Sequence, residues 1–156
     1  MPLSGENYPK DQAKGAECGL YCIYLNEIVN ASLTYDGLPI RYKFVPETDG
    51  KGFGFWHLIS EGEKEEDRTP DFRRCERMRW VTWIIENAKK DPNILWWRNL
   101  RGSNIHVVLW LRSSQFAVVL AARSGYYLLK TSYMVKPNRE KDFYKEWQNF
   151  QKTGTP

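Results

Sequence analysis

Residues 95–134 read LWWRNLRGSNIHVVLWLRSSQFAVVLAARSGYYLLKTSYM, and this stretch decides the fold class of the 156-residue chain. Its β-branched and aromatic residues gather in four runs, at 95–100, 105–111, 116–123 and 126–134, and short polar segments separate the runs. Runs of this kind with brief polar breaks are typical of antiparallel strands joined by tight turns. The stretch therefore predicts a meander of three or four consecutive strands.

Helical patterns surround the meander. Apolar residues recur at three and four positions over 14–31, which predicts a helix there. A second helix is predicted at 70–90, with Thr69 or Asp71 as its N-cap. The amphipathic stretch 138–151 predicts a terminal helix.

Two further stretches, 40–45 (IRYKFV) and 53–60 (FGFWHLIS), are rich in β-branched and aromatic residues and are predicted to be strands. The charged stretch 61–69 has no apolar period, which predicts an exposed loop. Together the elements predict an α+β fold, in which an antiparallel sheet of about five to six strands is covered by about three helices.

The composition is that of a single globular domain spanning 1–156. Hydrophobic residues make up 42% of the chain and charged residues 27%, which excludes disordered and low-complexity classes. No apolar run approaches the roughly 18 residues that a membrane span needs, and the first residues lack the pattern of a signal peptide, so no membrane association is expected. Three cysteines, an odd number, indicate free thiols in a reducing compartment, and the expected location is the cytoplasm.

The cysteines also bear on metal binding. Cys18, Cys22 and Cys75, together with His57 and His106, supply enough zinc ligands, but their spacing lacks the paired ligands of zinc motifs. Cysteine is often a small, buried hydrophobic residue. The sequence therefore predicts no metal and no cofactor.

Positive charge is concentrated in the second half of the chain. Residues 1–88 carry 11 Lys and Arg against 15 Asp and Glu, a net charge of −4, whereas residues 89–156 carry 12 against 4, a net charge of +8. Cations and aromatic residues are interleaved there: Arg98, Arg101, Arg112, Arg123 and Lys130 with Trp96, Trp97, Trp110, Tyr126 and Tyr127. Because cations attract phosphates and aromatic rings stack on bases, this half is predicted to face nucleic acid. Uneven scattering of solvated surface charges is the alternative explanation.

Two histidines are candidates for proton transfer. His57 lies in GFWHLIS, ahead of several arginines, and His106 lies inside the apolar run IHVVLWL. Cleavage of RNA without a metal needs a proton acceptor for the 2′-OH, a proton donor for the 5′ oxygen and positive charge at the phosphate. Imidazole and guanidinium groups meet these needs near neutral pH. His57 is the predicted acid or base, with a structural role as its alternative, and His106 is predicted to be structural.

Other side chains are candidates for holding the phosphate. Arg73 and Arg77 lie four residues apart, so they share a face of the predicted helix and can grip phosphate oxygens. In LLKTSY, strand alternation is expected to place one pair on each face, Thr131 with Tyr133 and Lys130 with Ser132.

Four features together resemble a known family: FWHLIS at 55–60, DFRRCERMRWVTWIIE at 71–86, the aromatic meander, and a late strand ending in KTSY. They resemble the phage-type branch of the barnase, EndoU, colicin and RelE-like ribonuclease superfamily. The resemblance covers roughly 53–135 and rests on the order and spacing of short motifs. It implies an antiparallel sheet that carries the catalytic residues and RNA cleavage without a metal ion.

The resemblance also implies particular site residues. The family-like catalytic positions are His57, Arg77, with Arg73 as the second choice, and Thr131 or Tyr133. The residues expected to bind substrate are Arg73, Arg74, Trp56, Trp110 and Lys130.

The predicted function is therefore a metal-independent ribonuclease, acting as a toxin or conflict effector of a phage or other mobile element. Its predicted partners are RNA, either tRNA or mRNA, and a cognate inhibitor protein. Two alternatives stay open at this point. One is a non-catalytic module that binds RNA or single-stranded DNA, and the other is a protein-interaction module of a mobile element.

Overall fold

The structure is a computed structural model that describes residues 19–62 and 64–156. Its main helical segments are α1 (19–31, which passes through a π-helical stretch at Tyr24–Ile28), α2 (Phe53–Ile59), α3 (Phe72–Glu76), α4 (Met78–Asn87) and α5 (Pro137–Thr153). Its strands are β1 (Thr34–Tyr35), β2 (Leu38–Arg41), β3 (Ser60–Glu61), β4 (Thr69–Pro70), β5 (Ile94–Arg101), β6 (Asn104–Leu111), β7 (Phe116–Arg123) and β8 (Tyr126–Met134). The part of the first predicted helix at 14–18, with Cys18, lies outside the described residues.

Six strands form one sheet in the order β1-β2-β8-β7-β6-β5, and β3 and β4 form a separate pair. Neighbouring strands of the large sheet are antiparallel except β2 and β8, which run parallel. The predicted α+β class is confirmed, and the predicted antiparallel sheet of about five to six strands has six strands with one parallel pair. The described residues form five helical segments where about three helices were predicted. The four meander strands begin and end within one residue of their predicted bounds, and the predicted terminal helix is α5.

Strand β7 lies inside the sheet because its sequence, FAVVLAAR, is apolar on both faces. Its residues alternate between two core clusters. Phe116, Val118 and Leu120 face the first cluster, and Ala117 faces the second. The sheet therefore separates two hydrophobic layers.

The first layer packs α1, α2 and α4 on one face of the sheet. Tyr24 of α1, Phe55 of α2 and Ile84 of α4 are buried within it. The rings of Tyr24 and Phe55 lie 5.6 Å apart. Burial of each such side chain contributes about 1.5–3 kcal/mol, so this layer is a main source of stability.

The second layer packs α5 on the opposite face. Phe143 of α5 meets the rings of Trp97 and Trp110 at 5.1 and 5.6 Å, and all three side chains are fully buried. Trp97 donates from Nε1 to Glu146 Oε2 at 3.0 Å, so its one polar group is satisfied. These contacts fix α5 over one part of this face.

The prediction that 53–60 is a strand is wrong, because residues 53–59 form α2. The buried residues Phe55, Leu58 and Ile59 are three and four positions apart, which suits a helical face. A short apolar run fits both periods, and contacts with α1 select the helix, since Phe55 packs against the rings of Tyr21 and Tyr24. His57 consequently lies on a helix and not on a strand.

The helix predicted at 70–90 is two helices, α3 and α4, which meet at Arg77. Arg77 has φ −105° and ψ 12°, outside the helical region. Asp71 is the N-cap of α3, as predicted, and accepts a hydrogen bond from the backbone N of Arg73. Pro70 lies in β4, ahead of the helix.

The predicted loop at 61–69 contains the ends of β3 and β4 and a 3₁₀ turn at Glu65–Asp67. The strand predicted at 40–45 is shorter, since β2 ends at Arg41. Among the described residues, no helix combines the length and apolar character needed to cross a bilayer.

Candidate functional site

Helix α5 packs against one end of its face of the sheet. Tyr133, Ala117, Trp110 and Leu95 form one row across β8, β7, β6 and β5, and all four belong to the cluster beneath α5. The neighbouring row of Val119, Val108 and Trp97 is also buried. The aromatic residues of α5 therefore cover the end of β8 that leads into the helix.

The other end of this face holds polar and charged side chains. The next full row across the strands consists of Arg41, Leu128, Ala121, His106 and Asn99. Beyond it, Tyr126 of β8 is paired with Arg123 of β7. Strands lie about 4.8 Å apart, so this region spans roughly 19 Å from β2 to β5. It is wide enough to hold several units of an extended ligand.

We call this region the basic sheet face and define it by Arg41, Arg101, His106, Arg123, Tyr126 and Lys130. Lys130 joins it through a β-bulge, because the register between β7 and β8 shifts at Val119 and Leu120. The prediction that Lys130 shares a face with Ser132 is therefore wrong. Ser132 is buried on the α2 side, where its Oγ donates to the carbonyl oxygen of Leu58, whereas the charge of Lys130 acts on His106.

His106 lies among cations on this face. Its side chain is half-buried, and its cross-strand partners are the small, fully buried Ala121 on one side and Asn99 on the other. Partial burial lowers the pKa of His106 below its usual 6.5, and the charges of Lys130, Arg101 and Arg123 lower it further. The imidazole is therefore neutral at pH 7 and is able to accept a proton.

Lys130 experiences the same surroundings. Burial, followed by the charges of Arg123 and Lys43, lowers the pKa of the Lys130 ammonium group. A lower pKa makes the ammonium group a better proton donor than an ordinary lysine. Among the described side chains, no carboxylate forms an ion pair with Arg41, Arg101, Arg123 or Lys130. The face therefore carries a positive charge that suits an anionic ligand.

The structure brings His57 and Thr131 together, but through the backbone of α2. Thr131 donates from Oγ1 to the carbonyl oxygen of His57 at 2.9 Å, and Ser132 donates from Oγ to that of Leu58 at 3.4 Å. Asp71 N donates to the next carbonyl, that of Ile59, at 2.6 Å. The final carbonyl groups of a helix have no partners within the helix, and here β8 supplies two of the donors.

Arg74 completes this helix end. Its Nη1 donates to the carbonyl oxygen of Ser60, which also accepts a bond from Arg68 Nη2. The side chain of Arg74 is only 11% exposed, and its Nε lies 3.6 Å from Asp71 Oδ2. Its guanidinium lies over the ring of Tyr133. Arg74 thus joins α2, α3 and β8, and these contacts are structural.

The side chain of His57 lies near the edge of the basic sheet face. Its ring stacks on that of Phe53, with 4.1 Å between centroids. Lys43 Nζ also lies 4.1 Å from the centroid of Phe53, and the charge of Lys43 acts on Lys130. A ring contact with Phe53, a cation over that ring and the charge effect of this cation on Lys130 thus link His57 to the basic sheet face.

The arginines of α3 and α4 are not among the residues of the basic sheet face. Arg77 donates from Nη1 to the carbonyl oxygen of Arg73 at 3.0 Å, and its guanidinium lies over the ring of Trp80. The side chain of Arg73 is 61% exposed, beside Asp71. These contacts of Arg73 and Arg77 are with residues of their own segment, 71–80.

The predicted aromatic site residues also lie elsewhere. Trp110 is fully buried beneath α5, so its ring is closed to a base. Trp56 donates from Nε1 to the carbonyl oxygen of Thr48 at 3.0 Å, which fastens the 48–51 turn to α2. Burial raises the pKa of Tyr133, whose ring packs against Phe143, so its hydroxyl is protonated at neutral pH.

Sequence reasoning gave a site role to Lys130 but not to His106, Arg41, Arg101, Arg123 or Tyr126. Strand alternation in IHVVLW does place His106 on the side of Trp110. The signal that brings these residues together is the register across four strands, and no local pattern contains it.

The chain matches no protein-family model, no curated protein and no solved structure. Within the described residues, no group of three or more His, Cys, Asp or Glu is placed to hold a metal ion.

Proposed function

We propose that the protein is a ribonuclease that cleaves RNA without a metal ion, with the basic sheet face as its active site. The observation that supports this most is that the strand register places His106, Lys130, Arg101 and Arg123 on one face of the sheet, where the three positive charges act on the imidazole. A neutral imidazole next to an ammonium group and two guanidinium groups is the set of groups that phosphate transesterification needs.

Each group has one role in the proposed reaction. His106 accepts the proton of a ribose 2′-OH while the 2′ oxygen attacks the adjacent phosphorus. The bond between phosphorus and the 5′ oxygen breaks, and Lys130 donates a proton to that oxygen. Arg101 and Arg123 stabilise the additional negative charge of the transition state. The products are a 2′,3′-cyclic phosphate and a free 5′-hydroxyl.

His57 has a secondary place in this proposal. The carbonyl of His57 binds Thr131, and its ring stacks on Phe53, so it orders α2 beside the basic sheet face. The comparison of His106 with His57 therefore tests the assignment of the general base. His106→Ala is expected to lower the cleavage rate by a factor of about 10² to 10⁴, the usual contribution of acid–base catalysis.

The experiment incubates RNA with the purified protein in EDTA and identifies the product ends. Cyclic phosphate ends, lost in His106→Ala and kept in His57→Ala, are the expected result. If activity is lost in His57→Ala and kept in His106→Ala, His57 is the general base instead. If the wild-type protein leaves every RNA intact, including tRNA and ribosome-bound mRNA, the proposed activity is refuted.

A non-catalytic RNA-binding function is the second candidate. The observation that favours it is that Thr131, whose hydroxyl group was expected in the catalytic site, is used together with Ser132 to bind the end of α2. It predicts salt-dependent binding of RNA that stays intact and is insensitive to His106→Ala.

A further inference from the structure

We infer that Tyr126, with the guanidinium of Arg41 over its ring, binds a nucleobase, so that the basic sheet face selects single-stranded RNA. This inference rests on the proposed function and names the substrate class of the same site. The observation behind it is that Tyr126 of β8, a residue able to stack on a base, is paired with Arg123 of β7, a residue able to bind a phosphate.

Tyr126 lies directly opposite Arg123 in the register between β7 and β8. Cβ atoms of opposite residues lie about 4.5–5.5 Å apart, so the ring is a neighbour of a phosphate-binding guanidinium. Lys130 lies four residues further along the same strand, about 13 Å away at the usual rise of a strand. When a base stacks on Tyr126, the phosphate of that nucleotide therefore lies near Arg123. The next nucleotides of the RNA strand then extend towards Lys130.

Arg41 completes the stacking platform. The guanidinium carbon of Arg41 lies 4.6 Å from the centroid of the Tyr126 ring. Arg41 is exposed and lies where β2 pairs with β8. Aromatic rings and guanidinium planes are the two surfaces on which unstacked bases bind. Leu128, opposite Arg41, supplies an apolar floor beside them.

Tyr126 is singled out among the aromatic residues of the second half by its position. Trp97, Trp110 and Tyr127 are buried. Trp96 packs against the first cluster, on the other face of the sheet, where Lys89 lies over its ring. Of the five aromatic residues interleaved with cations in the sequence, Tyr126 alone belongs to the basic sheet face.

A duplex does not fit this arrangement, because its bases are stacked on each other and its outer surface offers only the sugar-phosphate backbone and groove edges. A single strand can turn one base onto the ring while its phosphates bind the cations. The site therefore discriminates by strandedness, and stacking tolerates different bases because each base has a π-face.

The test measures fluorescence anisotropy of an eight-nucleotide 2′-O-methyl RNA, in which the 2′ oxygen has no proton to lose and the strand stays intact. Tyr126→Leu is expected to weaken binding about tenfold, the loss of one stacked base. Tyr126→Phe keeps the ring and is expected to bind like the wild type. Arg41→Gln, a change at an exposed position, gives an independent decrease if Tyr126→Leu impairs folding.

Two further ligands separate this inference from the proposed function. Tripolyphosphate, which has phosphates and no bases, is expected to displace the RNA from the wild type and from Tyr126→Leu at similar concentrations. A blunt RNA duplex is expected to bind the wild type more weakly than the single strand does. Equal single-strand binding by wild type, Tyr126→Leu and Arg41→Gln, or duplex binding as tight as single-strand binding, overturns the base site and leaves the proposed cleavage intact. A wild-type protein that neither binds nor cleaves RNA refutes both.

Discussion

Thr131 Oγ1 and the carbonyl oxygen of His57 are joined by a hydrogen bond of 2.9 Å. Both residues are sequence-predicted members of a catalytic site, and they do meet. Their contact, however, uses the main chain of α2, because the Thr131 hydroxyl donates to a carbonyl oxygen in the last turn of that helix. This pair therefore holds α2 against β8 beside the basic sheet face.

The first prediction concerns Thr131. Thr131→Val removes the hydroxyl that donates to the carbonyl oxygen of His57, so the free energy of unfolding is expected to fall by about 0.5–1.5 kcal/mol, the usual net value of one hydrogen bond. Urea denaturation followed by tryptophan fluorescence measures the change. Thr131→Ser keeps the hydroxyl and is the matched control. Unchanged stability with lost RNA cleavage in Thr131→Val would show that the hydroxyl acts in the chemistry instead.

The second prediction concerns the contact between α2 and the segment after β2. A Cβ at Gly54 would lie 3.0 Å from the carbonyl oxygen of Lys43 and 3.1 Å from Tyr24 Oη. The backbone N of Gly54 donates to that same carbonyl at 2.7 Å, so the backbones have to separate. Gly54→Ala is expected to lower the free energy of unfolding by about 1–3 kcal/mol, measured by denaturation.

Gly19→Ala is the control for this change, since a Cβ at Gly19 meets nothing within 4 Å and the residue is also helical. It is expected to leave the stability unchanged or to raise it. An equal effect of the two substitutions would contradict the close approach at Gly54.

The third prediction concerns the salt dependence of RNA binding. Lys130→Met and Arg123→Gln each remove one cation from the basic sheet face. Each is expected to weaken binding and to lower the slope of log affinity against log salt by about 1. Lys90→Met removes the same charge from an exposed position that follows α4, and is expected to change neither quantity. Equal losses in all three variants would indicate that net charge alone governs binding.

The fourth prediction concerns pH and stability. The pKa of His106 is lowered in the folded protein, so the unfolded chain binds a proton at this residue more readily than the folded one. The corresponding stability is complete above the unfolded pKa of about 6.5 and is lost as pH falls through the lower folded pKa. His106→Asn is expected to reduce the fall in melting temperature over this range. Identical pH profiles for both proteins would contradict the prediction.

The fifth prediction separates burial from charge at His106. Lys130→Met removes a cation that lowers the pKa of His106, so this pKa is expected to rise. Inorganic phosphate, bound to the wild type, is expected to have the same effect because it neutralises the surrounding charge. Titration of the histidine ring resonances by NMR measures both, and the spectrum of His106→Asn identifies the signal. An unaltered His106 pKa in Lys130→Met would contradict the effect of the Lys130 charge.

Sequence alone determined the parts of the fold that depend on local periodicity. The runs of β5 to β8 and the amphipathic face of α5 are long enough for their periods to be unambiguous, and Asp71 caps its helix through a contact two residues away. Where a segment is short, local pattern failed. Residues 53–59 suit either a strand or a helix, and their packing against α1 decides in favour of the helix.

Only the tertiary structure decided the candidate site. The parallel pairing of β2 with β8 brings Arg41 to Tyr126 across 85 positions of sequence, and the bulge in β8 brings Lys130 to the side of His106. Neither has a local signature, because register is selected by how whole strands and helices bury their apolar faces together. The sequence determined the four strands β5 to β8 and the concentration of cations and aromatic residues in the second half. The packing of strands and helices then decided which of these cations and aromatic residues lie together on the basic sheet face.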